Sequence, residues 1–268
     1  MNGEKAKSAS ARRFLSAGIF GLALGGLVPV SAFDGAAMAQ DAGDLQAAGT
    51  YLRLELGAAQ PDAGDASWLP PGPSDPRVYF DLDLDTAATG AIAIGRSFGE
   101  GWRGEVAVNS FGKSDFSGDW SYTVPADPGP HASMQGSVRS VAFFANGYYD
   151  IAMEGGFTPF VTAGLGVADN TMDDWTRINP DAGRLTRSFA EGSDSGFAWN
   201  IGAGVAWDVG SVMGSGPAKL DLAWRYFDLG SVSGSAQPLE GSGSSEPREP
   251  LNFDVTNQVF SVGLRFPL

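Results

Sequence analysis

Residues 257–268 read N-Q-V-F-S-V-G-L-R-F-P-L, and the phase of this stretch decides the fold. Successive side chains of a strand point to opposite faces. Phe260, Val262, Leu264 and Phe266 therefore share one face, and Ser261, Gly263 and Arg265 share the other. A soluble sandwich or ligand-binding barrel turns such an apolar face inward. A transmembrane barrel turns it toward lipid and keeps the small and charged face for the lumen.

Seven further membrane-length stretches alternate in the same way, and the shorter run 78–85, V-Y-F-D-L-D-L-D, alternates as well. Residues 51–59 set Leu52, Leu54, Leu56 and Ala58 against Arg53, Glu55 and Gly57. Residues 89–98 and 102–111 flank Gly99-Glu100-Gly101, the clearest hairpin signal in the chain. In the second of these, Trp102, Gly104, Val106 and Val108 oppose Arg103, Glu105, Ala107 and Asn109. Residues 137–150 point Val141, Phe143, Ala145 and Tyr149 outward, and 158–168 set Val161, Ala163, Leu165 and Val167 against Thr162, Gly164 and Gly166. Residues 196–209 oppose Ile201, Ala203, Val205 and Trp207 to Asn200, Gly202, Gly204 and Asp208. Residues 218–229 oppose Leu220, Leu222, Trp224 and Tyr226 to Lys219, Asp221, Ala223 and Arg225.

The count is eight strands, joined alternately by long and short connections. Residues 61–76, 112–136, 169–195 and 230–252 read as four long acidic loops rich in Gly, Pro, Ser and Asp; 99–101, 151–157 and 210–217 are short. An even strand number, strands of about ten residues, and short turns on one side only are the pattern of outer-membrane barrels. The expectation is an all-β protein: an eight-stranded antiparallel up-and-down transmembrane β-barrel over 51–268, with both termini periplasmic and the long loops extracellular.

The segment before it fits an exported protein. Residues 1–13 are basic, 14–30 are apolar, and Ala37-Met38-Ala39 supplies an A-x-A cleavage site. The expectation is a cleaved signal peptide over 1–39 and a small polar lead-in over 40–50. The apolar run is short for a membrane helix and is broken by Gly and Pro. Arg12-Arg13 reads as part of the basic n-region and not as a twin-arginine signal, since that route carries folded cargo.

The formal charge is −14, and cleavage would remove four cations and two anions to leave −16. Such a chain repels phosphate backbones, which excludes nucleic acid as a partner. Cysteine is absent, which excludes disulfides and thiolate chemistry. No EF-hand loop and no phosphate-cradling glycine loop occurs. No cofactor and no metal site is expected.

The stretch G-A-I-A-I-G-R-S-F-G-E-G-W-R-G-E-V-A-V (90–108) resembles the first hairpin of the small outer-membrane β-barrels, the opacity-like and OmpA-like surface proteins of Gram-negative bacteria. P-F-V-T-A-G-L-G-V-A (159–168) and Gly202-Ala203-Gly204-Val205 are similar to the later strands of that family. Arg96 departs from it, standing where an aromatic usually follows the glycine. The resemblance implies a surface-antigen type of protein in the cell outer membrane. Its expected partners are outer-membrane lipid and lipopolysaccharide, the barrel-assembly machinery reading the C-terminal strand, and host or environmental surface ligands. Phe266 is the terminal aromatic, followed by Pro267 and Leu268. The expectation is a barrel without the soluble periplasmic domain of the longer OmpA kind.

Four constellations are candidates for chemistry. Arg53, Glu55, Arg103, Glu105, Lys219, Asp221, Arg225 and Arg265 point into the lumen. They form a charge network that either fills the barrel structurally or gates a narrow conduit. An eight-stranded barrel is just wide enough for side chains, which excludes a wide pore. His131 and Ser133 lie in a Pro/Gly loop, a poor platform for a lipid-modifying triad. Asp81, Asp83 and Asp85 form one row, and Asp169, Asp173 and Asp174 open the third loop; solvated surface is the plain reading and divalent-cation binding the sharper one. Tyr51, Phe98, Trp102, Trp207, Tyr226 and Phe266 fall near strand ends, as interface aromatics do. The reading reached is a non-enzymatic barrel with a structural or surface-interaction role; the alternative is a narrow, porin-like channel for small solutes.

Overall fold

The computed structural model describes residues 49–127, 132–179, 186–211, 217–242 and 245–268. The expected signal peptide, the lead-in up to residue 48 and His131 lie outside the described residues. The described residues form eleven antiparallel strands: β1 Gly49–Leu69, β2 Arg77–Leu84, β3 Ala87–Gly99, β4 Trp102–Val124, β5 Ser133–Asp150, β6 Phe157–Met172, β7 Trp175–Ile178, β8 Arg187–Phe189, β9 Gly192–Ser211, β10 Pro217–Ser233 and β11 Glu249–Pro267.

Eight of them close a ring in the order β1, β3, β4, β5, β6, β9, β10, β11, with β11 pairing back onto β1. From Leu52 the register leads through Ile94, Val106, Ala145, Leu165, Trp199, Asp228 and Thr256 to Asp62, ten residues further along β1. That stagger tilts the strands and leaves an interior that side chains can fill. The lower hairpin β3–β4 turns through Glu100 and Gly101, at φ 53° and 84°. Two successive positive φ values make the two-residue turn whose twist matches paired strands.

The apolar faces point outward, as 257–268 requires of a membrane barrel. Leu54, Leu56, Ile92, Ile94, Val106, Phe143, Leu165, Val167, Ile201, Phe260 and Val262 are all exposed. An apolar exterior of this extent, spread over the ring, has only lipid to cover it.

The expected loops prove to be largely strand. β1 runs to Leu69, β4 to Val124, β6 to Met172 and β10 to Ser233, while β9 begins at Gly192 and β11 at Glu249. At 23 residues, β4 is about twice the ~9–11 residues that cross a bilayer. The wall therefore continues above the membrane as a barrel extension. β2 continues it between β1 and β4, in the position that β3 holds lower down, and the β7–β8 hairpin pairs with the top of β5.

One seam marks where lipid must end. β1 pairs with β3 up to Ala59↔Ala87 and with β2 again only at Ser67↔Tyr79 and Trp68↔Val78. Between these points β1 has its ladder on the β11 side alone. Unpaired backbone is not tolerated in hydrocarbon. The seam, bordered by Pro61, Asp62, Asp81 and Asp83, thus lies above the lipid.

Candidate functional site

Within the membrane band the inward positions carry charge. Glu105 of β4 sits at the centre. It accepts hydrogen bonds from Arg53 Nη2 at 2.5 Å, Arg53 Nε at 3.1 Å, Tyr148 Oη at 2.6 Å, Asn146 Nδ2 at 3.2 Å and Tyr51 Oη at 3.3 Å. Arg53 also pairs with Glu55, which takes Arg225 Nη2 at 3.1 Å. Arg103 grips Asp150 through two parallel bonds of 2.8 and 2.7 Å, and Arg265 pairs with Asp221 at 2.9 Å.

These groups are four arginines and four carboxylates, all buried and mutually paired. An isolated charge in so dry a site is very costly, so the balance of sign is what makes the arrangement possible. The Arg103 guanidinium also lies 4.3 Å from the Tyr148 ring centre. Close packing leaves no room for larger residues on the facing strand. A Cβ on Gly202 would stand 2.5 Å from Arg225 Cγ.

Above this deck the interior is apolar. Trp68, Phe80, Phe116, Met134, Met172, Trp175, Phe189, Leu251 and Phe253 are among the buried residues of one continuous cluster. Phe116 packs edge-on against Phe253 at 5.3 Å, and Trp175 stacks on Phe189 at 4.2 Å. The β7–β8 hairpin brings the last pair over the mouth, and the Arg177 guanidinium lies 4.6 Å from the Trp68 ring.

Seven of the eight expected lumen charges come together in the lower deck. Lys219 does not: it is partly exposed and pairs with Asp208 at 2.9 Å. Asp208 and Lys219 stand opposite each other two residues below the inward pair Ala206 and Asp221, at the open lower end of the lumen, where Asp208 meets solvent. Tyr51 is a second correction. It is buried, 3% exposed, with its hydroxyl on Glu105 and Arg103, because it shares the parity of Arg53 and Glu55. Phe98 and Trp102 are exposed at the lower rim, and Trp207, Tyr226 and Phe266 are partly exposed on the outer face. Asn200, expected on the inward face, joins the deck by donating to Asn146 Oδ1 at 2.9 Å, whereas Asp150, Tyr148 and Asn146 belong to it without having been among the expected residues. For the three on β5 the signal was present: with Val141, Phe143 and Tyr149 outward, the even positions must face in.

The remaining acidic candidates separate. Asp81, Asp83 and Asp85 are exposed on the outer face of the wall. Asp169 accepts from Ser195 Oγ at 2.7 Å. Asp173 is held by Lys113 Nζ at 3.1 Å, by Ser137 Oγ at 3.0 Å and by Arg139. Burial works to raise the Asp173 carboxyl, but these donors together outweigh it and hold it below the usual carboxylate range. No group of three potential metal ligands converges among the described residues.

No protein-family model matches the chain. Among solved structures it is similar to Neisserial surface protein A, with a TM-score of 0.46 and 14% identity over 83% of this chain and 100% of that one. It is also similar to OprG of Pseudomonas aeruginosa, with a TM-score of 0.44 and 14% identity over 82% and 96%. In sequence it is 28% identical, over 161 residues, to outer membrane protein PagN of Salmonella typhimurium. That match covers 57% of this chain and 62% of the relative's length.

The chain is an eight-stranded antiparallel transmembrane β-barrel. Its lipid-facing band, its polar lower lumen and its water-exposed upper wall take their meaning from that setting. A charged lumen wrapped in an apolar exterior has no stable place in water, and in a bilayer each face meets the surroundings it suits.

Proposed function

We propose that this outer-membrane barrel is a closed, non-enzymatic scaffold. It carries an extended wall for interaction at the cell surface, with both termini on the periplasmic side. The observation that carries the reading is the filling of the interior over its whole height. Four ion-paired arginines close the lower deck, and an aromatic and aliphatic cluster closes the upper one. The described carboxylates of the lumen are committed to arginines, which leaves none free as a general base. The short β3–β4 turn stands on the terminal side, which fits periplasmic termini. Lipopolysaccharide would meet the upper rim of the apolar band, and the assembly machinery would engage β11.

Purified, folded protein in a planar bilayer is therefore expected to be silent. Stepwise conductance that changes in Arg225→Ala or Glu105→Ala would replace this reading with a narrow channel. An altered lipid A profile on expression, lost in His131→Ala, would replace it with an enzyme.

A further inference from the structure

On the outer face of the upper wall, β2 and β4 carry a two-column ladder of aspartates. Asp81 stands directly opposite Asp119 and Asp83 opposite Ser117, while Asp85 donates its backbone N–H to the Asp115 carbonyl at 2.9 Å. All five carboxylates are exposed, and none has an ion-pair partner among the described residues. The nearby cations are taken elsewhere: Arg77 by Glu249 at 2.7 Å, Lys113 and Arg139 by Asp173. Like charges directly across a strand pair destabilise it. The lower deck, by contrast, pairs each of its four arginines with a carboxylate.

One step up from Asp81 and Asp119, Tyr79 and Tyr122 stack with ring centres 4.5 Å apart and planes 7° apart. Tyr122 is half exposed. A flat aromatic pair beside carboxylates is the surrounding a guanidinium prefers, since it stacks on one and hydrogen-bonds the other. The carboxylates are spread along two strands and do not converge, which suits several separate cations and not one metal ion. Same-face positions along a strand repeat at about 6.6–6.8 Å. An extended chain with a cation at every second residue presents the same repeat.

We propose that the β2–β4 face is a docking surface for an arginine- and lysine-bearing extended polypeptide. Its cations pair with the aspartate ladder, and one guanidinium stacks on Tyr122. The inference rests on the reading that the upper wall lies outside the cell. It is tested with full-length protein folded in zwitterionic detergent and a fluorescent peptide of alternating arginine and serine, read by anisotropy. The triple variant Asp81→Asn, Asp83→Asn, Asp119→Asn is expected to weaken binding by about tenfold or more. Tyr122→Ala is expected to weaken it by a smaller factor. The control triple Asp169→Asn, Asp228→Asn, Asp254→Asn, on β6, β10 and β11, leaves it unchanged. Equal loss in both triples, or no binding by the parent protein, overturns the proposal. So does capture of heparin in place of the peptide, since a sulfated glycan requires the opposite charge. Retained heat-modifiable mobility shows that each variant is folded. Ser117→Cys, in a chain with no native cysteine, is expected to react with a membrane-impermeant maleimide on intact cells. Failure there overturns the orientation; labelling without peptide binding overturns the docking surface alone.

Discussion

Along β11 the inward side chains run Leu251, Phe253, Val255, Asn257, Val259, Ser261, Gly263 and Arg265, without a break in parity. The outward ones run Asp254, Thr256, Gln258, Phe260, Val262, Leu264 and Phe266. In the upper half the inside is apolar and the outside polar; in the lower half this is reversed. The exchange falls at Val259 and Phe260, two adjacent apolar residues. β10 shows the same change, with Arg225 inward beside exposed Trp224 and, above them, Phe227 and Leu229 inward beside Asp228. What changes along the strand is the solvent outside it. Lipid leaves the polar side chains to be satisfied inside, and water lets the apolar ones be buried there. The two decks are thus stabilised by different forces, and they should fail differently.

Removing one member of the lower deck has the largest expected effect. Glu105→Ala takes away the acceptor of five hydrogen bonds and leaves Arg53 with Glu55 alone. Unpairing a buried charge costs about 3–5 kcal/mol. The measurement is urea unfolding in lipid vesicles followed by the heat-modifiable gel shift. A cost below about 1 kcal/mol would mean that water reaches this deck and screens it.

In the upper deck Leu251→Ala deletes an apolar side chain that is fully buried. The expected cost is about 2–5 kcal/mol. Here the loss should be local, because the deck projects beyond the membrane. Hydrogen exchange is expected to quicken over residues 249–255 while 259–267 stays protected. Uniform quickening would show that the two decks unfold as one unit.

The exchange point can be tested from outside. Val262→Arg places a cation in lipid, at a cost of about 2–4 kcal/mol near the midplane. Asp254→Arg, on the same face of the same strand but above the exchange, should stay within about 0.5 kcal/mol. Similar costs at both positions would move the membrane boundary and unsettle the two-deck description.

The same reversal explains what the sequence revealed and what it hid. A template of apolar-out alternation recognises the membrane-crossing part of every ring strand, and so the strand count, the lower hairpin and the facing of Arg53, Glu105 and Arg225 were legible. The template fails where the solvent changes. Residues 249–256 then look like the end of a Gly, Ser, Pro and Glu tract, although Leu251, Phe253 and Val255 alternate inward. In β4 a register shift between Phe111 and Ser114 adds a break of parity, so Phe116 is harder still to place. The ion-pair partners were hidden for a different reason. Asp150 reaches Arg103 only through the pairing of β4 with β5, and register is a property of two strands and not of either sequence alone.

The smallest expected effect lies on the outer face of the upper wall. Asp173 at the end of β6 is bound by Lys113 of β4 and by Ser137 and Arg139 of β5, and its backbone N–H donates to the Ser137 carbonyl at 2.9 Å. Its carboxyl is held below the usual range, so its contribution is present above the unfolded-state pKa of about 3.9. It is lost as the pH falls through the lower folded-state value. The group is partly exposed and salt screens it, so the effect belongs to surface ion pairs, at about 0–1 kcal/mol. Asp173→Asn should therefore abolish a small acid-dependent loosening of the corner between β6 and β7 and leave neutral stability slightly reduced. Amide exchange at Asp174 and Trp175, compared near pH 3 and pH 6 at low salt, is the measurement. If the parent protein and the variant respond to acid alike, the cluster is surface decoration and the upper wall is held at this corner by Met172 and Trp175 alone.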